Sequence, residues 1–190
     1  MVAGLLLSAC APESSGPRPV TFTEEAVANA KSFNDLGILP DTAIAGMPST
    51  GTANYAGGTE LRFFSAAGEQ FVLIGDTSVA VDFQSGTLSG TVAGLHGGIA
   101  PTGSFYPLSA ADYTGSLVLS NGQIGSAGPN SFGALYGGTL TGAGNLITAN
   151  GGLLGNFKGT PVQGIVAVGG GLVTLNGGAT SGAILNLWAQ

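Results

Sequence analysis

From Gly51 onward, large apolar residues return at every second position, and glycine repeatedly takes one of those same positions. Tyr113, Gly115, Leu117 and Leu119 share one face against Thr114, Ser116 and Ser120. Phe132, Ala134, Tyr136, Gly138 and Leu140 form another such face. A period of two is the signature of a β-strand with one side buried. Glycine weakens a strand, so a flat sheet gains nothing by placing it among bulky inward residues. In a small barrel the same alternation lets the interior taper and the strands bend.

The turn residues set the number of strands. Leu61 to Phe64 and Phe71 to Ile74 flank Ala67-Gly68, a hairpin. Val79, Val81 and Phe83 oppose Ala80 and Asp82. Asn121-Gly122 supplies a type I′ hairpin signal, and Asn150-Gly151 precedes the face formed by Leu153, Gly155 and Phe157. Asn176-Gly177-Gly178 reads as a further turn, and Gly57-Gly58, Gly137-Gly138 and Gly169-Gly170-Gly171 read as turns and kinks. The pattern predicts nine to eleven short strands at roughly ten-residue spacing. With connections this short, consecutive strands pair as a meander, which favours an all-β, antiparallel up-and-down barrel over a sandwich. The longest loop is expected from about His96 to Asp112, and loops of that length are often functional.

Ahead of the barrel the signal is different. Thr21 and Glu24 have capping-box spacing, and Ala26, Val27, Ala30 and Phe33 make an approximate helical stripe. One short helix is predicted over about 24–34, ending near Gly37 and Pro40. Further upstream, Leu7-Ser8-Ala9-Cys10 has the form of a bacterial lipobox, with apolar residues before it. The expected organisation is a signal peptide at 1–9, a lipidated Cys10 with a Pro/Ser-rich tether and the helix over 10–46, and the barrel over 47–190. Met1-Val2-Ala3 lacks the Lys or Arg that usually opens a signal peptide, so a start further upstream is the alternative. Acyl chains on Cys10 would anchor the protein, because each buried CH₂ contributes about 0.8 kcal/mol.

Charge excludes one class of partner. Only 7% of residues are charged, the formal net charge is −6, and Lys and Arg together number four. No basic stripe for nucleic acid can be built from that. A hydrophobic content of 44% still permits a core, so the 35 glycines do not imply disorder. The single Cys allows no intrachain disulfide.

Three runs resemble a known family: Met47-Pro48-Ser49-Thr50-Gly51-Thr52-Ala53-Asn54-Tyr55-Ala56-Gly57, then Val81-Asp82-Phe83-Gln84-Ser85-Gly86-Thr87-Leu88-Ser89-Gly90, then Gly128-Pro129-Asn130 through Gly152-Leu153-Leu154-Gly155-Asn156-Phe157-Lys158-Gly159. They resemble the β-barrel domain of transferrin-binding protein B, whose relatives include surface lipoproteins such as factor H binding protein. The resemblance implies about eight strands around a filled interior and attachment to the outer face of a Gram-negative outer membrane. It also implies binding of host proteins or, in some relatives, haem. No binding residue carries over, because the recognition loops do not match.

Catalytic patterns are missing. No Ser lies in G-x-S-x-G, and no Lys follows a Walker glycine pattern. With one His and one Cys, a structural zinc site would have to rest on carboxylates. Asp76 and Asp82 fall where a turn or solvent face would put a carboxylate. The residues singled out for ligand binding are His96, which lies in Leu95-His96-Gly97-Gly98 and could ligate haem, and Tyr106 in the same predicted loop. Tyr55, Tyr113, Tyr136 and Trp188 are read as core or barrel-rim residues. The expectation is a non-enzymatic, monomeric, lipid-anchored surface protein with no resident cofactor or metal, binding a protein or a small solute through its barrel loops. A structural envelope spacer is the alternative.

Overall fold

The computed structural model describes residues 21–101 and 104–190. The expected leader, Cys10 and the tether lie outside the described residues.

Helix α1 (Phe22–Gly37) begins at the predicted cap. The Thr21 hydroxyl accepts a hydrogen bond from the Glu24 N–H at 3.2 Å, which satisfies one of the free donors at a helix start. Glu24 and Glu25 add negative charge at the positive end of the helix dipole. The helix extends beyond the predicted 24–34 at both ends. It is docked on the barrel, with Phe22 and Leu36 both buried.

The strands are β1 (Thr52–Phe64), β2 (Gln70–Asp82), β3 (Thr87–Ala100), β4 (Ala111–Asp112), β5 (Thr114–Ile124), β6 (Ser131–Gly142), β7 (Asn145–Lys158), β8 (Gly164–Leu175) and β9 (Thr180–Ala189). Each long strand pairs antiparallel with the next, and β9 returns to β1, with Gly57–Phe63 against Ala183–Ala189. Eight long strands therefore close an up-and-down barrel, and β4 is a two-residue addition beside β3. Closure leaves no long sheet edge unpaired.

The nine strands fall within the predicted number, but eight of them are longer than predicted, and glycine is the reason. Gly57-Gly58, Gly137-Gly138 and Gly169-Gly170-Gly171 lie inside β1, β6 and β8, and Asn150-Gly151 lies inside β7. A Cβ on Gly138 would sit 2.0 Å from the Ser116 carbonyl oxygen, and one on Gly57 would sit 2.1 Å from that of Trp188. The strands coil so tightly that neighbouring backbone fills the space of the inward side chain. Asn121-Gly122 is also not a hairpin. Asn121 takes φ 52° at a register shift in the pairing of β5 with β6, which makes it a bulge within the strand. The two-residue turns with positive φ at both positions are Ala143-Gly144 and the predicted Asn176-Gly177.

Residues from all eight long strands meet in one buried cluster, Tyr55, Tyr113 and Tyr136 among them. Phe63 and Phe71 stack at one end, with centroids 4.8 Å apart. At the other end Phe157 packs against Phe132 at 5.5 Å and Phe83 at 5.7 Å. The barrel is filled by its own side chains, so ligand contacts must be sought on its outside.

Candidate functional site

The outer wall facing α1 differs from the rest of the barrel surface. Register places Asn186 of β9, Glu60 of β1, Ile74 of β2, His96 of β3 and Asp112 of β4 side by side along one rung. Period two points all of them outward, opposite to Leu61, Leu73 and Leu95 in the core. Helix α1 crosses this wall. Phe22 and Ala26 cover Val72 and Ile74 near one end of the barrel, and Leu36 reaches Gly164 near the other. Trp188, expected in the core or rim, lies on this wall beneath the helix. Its indole meets Phe33 edge-on at 5.4 Å.

Between helix and wall is a cavity of about 180 Å³, lined by Ala26, Asn29, Ala30, Phe33 and Asn34 from α1 and by Glu60, Arg62, Ile74, Asn186 and Trp188 from the barrel. Its polar side is organised by Glu60. One carboxylate oxygen accepts from Arg62 Nη2 at 2.6 Å, and the other accepts from Asn186 Nδ2 at 3.2 Å. The Phe105 ring lies over the guanidinium, 4.4 Å from Cζ to the ring centroid, close enough for a cation–π contact. Arg62 Nε is buried and has no acceptor among the described residues. The cleft thus combines two aromatic rings, amide side chains and a cation with an unused donor.

The structure places His96 on β3, not in a loop, because β3 runs on to Ala100. The loop that does follow β3 starts after Ala100 and ends before Ala111. His96 Nδ1 lies 3.1 Å from Asp112 Oδ1, and its ring centroid lies 5.8 Å from that of Phe22. Tyr106 stays on the loop, 42% exposed. Its backbone N–H donates to Ser104 Oγ at 3.1 Å. The loop meets the cleft through the neighbouring Phe105, a residue that sequence reasoning passed over together with Glu60 and Arg62. One signal was present: Glu60 and Arg62 are an acid and a base two apart, on the outward face of an otherwise uncharged strand.

A wider surface groove of about 580 Å³ runs over β1, β2, β3 and β5, with Thr52, Asn54, Asp82, Ser89 and Gln123 in its lining. Asp82 is already engaged there, since Oδ1 accepts from the backbone N–H of Gln84 at 2.8 Å and of Ser85 at 3.1 Å. The Ser85 N–H, followed by that of Gln84, holds this carboxyl below the usual aspartate value. None of the groove's lining residues is aromatic. Asp76 sits on β2, exposed. The cleft under α1 is therefore the better-built site. No family model, curated protein or solved structure matches the chain.

Proposed function

We propose that this protein is a non-catalytic binding protein, anchored through Cys10 to the outer membrane and displayed at the cell surface, and that it holds a small ligand in the cleft between α1 and the barrel. The ligand-binding part of the reading rests on one observation: Arg62 lines the cleft, and its Nε is buried without an acceptor among the described residues. A buried donor left unpaired costs about 1–3 kcal/mol, more when the group is charged. A carbonyl or carboxylate oxygen of a bound molecule would satisfy it.

Size narrows the ligand further. A dry cavity of about 150 Å³ accepts benzene, so about 180 Å³ suits one or two fused rings. Phe33 and Trp188 supply edges for a flat apolar body, and Arg62 supplies the polar end. A haem is far larger than this cleft. His96 also fits poorly as an axial ligand, because its side chain is only 19% exposed and is held between Asp112 and Phe22. On this reading His96 has a structural role, and the loop contributes Phe105.

Trp188 is the only tryptophan in the chain, so its fluorescence reports on the cleft directly. Titration with benzoate and indole-3-carboxylate is expected to change that fluorescence saturably, and Arg62→Leu is expected to abolish the change. No response to either compound would count against the cleft. A Soret band with haemin that disappears in His96→Ala would move the function to haem. Palmitate labelling that is lost in Cys10→Ser tests the anchor separately.

A further inference from the structure

The wall formed by β6, β7, β8 and β9 carries glycines that the fold does not require. Inward glycines such as Gly138 have no room for a Cβ, but Gly170 and Gly182 point outward with nothing within 4 Å, and Gly152 meets only the Ala134 carbonyl oxygen at 3.8 Å. All three are exposed, and none has positive φ. A Cβ would meet no clash at any of the three, and a β-branched residue favours a strand over glycine. Glycine in a strand interior marks a bulge, a tight bend or a place where a ligand or another backbone approaches closely; the pairings here carry no register shift, and the inward glycines beside them already serve the bend.

These glycines are interleaved with exposed aliphatic side chains. Leu154 of β7 and Val168 of β8 are direct cross-strand partners, 60% and 51% exposed. They form a ridge. Two residues further along, Gly152 and Gly170 are also direct partners and form a furrow, flanked by the half-exposed Leu135 of β6 and Ile184 of β9.

We propose that this wall is a self-association surface, and that its occupant is a second copy of the same chain. Ridge and furrow are adjacent, parallel and of similar length. A two-fold axis lying in the interface, across the strands and between the two rungs, seats the ridge of each copy in the furrow of the other, as an isologous dimer requires. Charge supports the same partner. Residues 113–190 contain one charged side chain, Lys158, and it is engaged by Asp41 at 2.7 Å. Two copies of a molecule with net charge −6 can therefore meet on this wall without bringing like charges together. A lipid surface fits less well, because the ridge and furrow carry no Trp, Tyr, Lys or Arg to anchor them at a membrane interface. The barrel wall is convex, so contact centres on β7 and β8 and covers less than the roughly 800 Å² per partner of a standard interface. A contact that small makes a reversible dimer, and area alone does not fix its affinity, so the concentrations to span run from micromolar to millimolar.

The test is sedimentation of the purified full chain across that range. The wild type is expected to pass from monomer to dimer as concentration rises. Gly170→Val fills the furrow without a clash in the monomer, so it is expected to remain monomeric with an unchanged or raised Tm. Leu154→Lys and Leu154→Glu are each expected to be monomeric, and an equimolar mixture of the two to form dimers again. A wild type that stays monomeric throughout overturns the proposal; if Cys10→Ser, which cannot carry an acyl anchor, then floats with phosphatidylcholine vesicles and Leu154→Lys in that background does not, the wall faces lipid. A dimer that persists unchanged in Gly170→Val overturns it as well, because association then uses another surface.

Discussion

Phe105 lies over the guanidinium of Arg62, 4.4 Å from Cζ to the ring centroid, and joins the loop after β3 to the cleft under α1. The contact covers one face of a cation whose Nη2 is held by Glu60. A cation–π contact at a partly exposed site is worth about 0.5–1 kcal/mol. The contact forms without ligand, so Phe105→Ala is expected to lower stability by about that amount, and to weaken benzoate binding only as far as Arg62 loses its fixed position. Phe105→Leu keeps the bulk and loses the ring quadrupole, so it should fall between wild type and Phe105→Ala. Urea unfolding, run beside titration followed by Trp188 fluorescence, measures both.

Gly58 has no room for a side chain under the Trp188 indole. A Cβ there would sit 2.5 Å from Cζ2 and 2.9 Å from Asn29 Oδ1 on α1. Gly58→Ala is expected to push the indole and the helix off the wall and leave the barrel closed. The emission of Trp188 should shift to the red, and limited proteolysis should cut within residues 22–37 faster. Far-UV circular dichroism should retain the strand signal.

Phe157 is fully buried and touches both Phe132 and Phe83. Phe157→Ala removes a core ring and leaves a cavity, which costs about 3–5 kcal/mol. Urea unfolding is expected to show a lower midpoint with an unchanged slope. Leu135→Ala, on the exposed outer wall, should change the midpoint little.

Burial raises the phenol pKa of Tyr55, Tyr113 and Tyr136 above its ordinary value. The folded state thus holds these protons more tightly than the unfolded chain. The associated stability is fully present below the unfolded phenol value of about 10 and is lost as pH rises through the higher folded values. Unfolding midpoints should be flat with respect to these groups at neutral pH and fall above about pH 10. Tyr136→Phe should make that alkaline fall shallower. Absorbance of tyrosinate against pH, run beside circular dichroism, checks the sign.

Legibility differed between the two sides of each strand. The alternation around Leu117, Leu140 and Leu153 assigned these residues to the core correctly, because a period of two is local and needs no partner. The capping pattern at Thr21 placed the start of α1 for the same reason. The glycine pairs misled. Gly57-Gly58 and Asn150-Gly151 have the composition of turns, yet a neighbouring strand pressing on the backbone demands glycine just as a turn does. The site suffered most. Asn29, the Glu60–Arg62 pair, Phe105 and Trp188 are far apart in the chain; closure of β9 against β1 brings Trp188 beside that pair, under the helix that carries Asn29, and the loop after β3 brings Phe105 over Arg62.

By itself, then, the sequence determined which side is buried in the strands around Val79, Leu117, Leu140 and Leu153, that Thr21 caps a helix, and that residues 113–190 carry almost no charge, since these follow from local spacing and composition. Tertiary structure decided which glycines bend a strand and which turn it. It also decided which outward residues α1 covers, and whether an outward glycine faces packed backbone or open space. Those outcomes depend on the atoms of neighbouring strands, and register across the closed barrel is what puts those atoms in place.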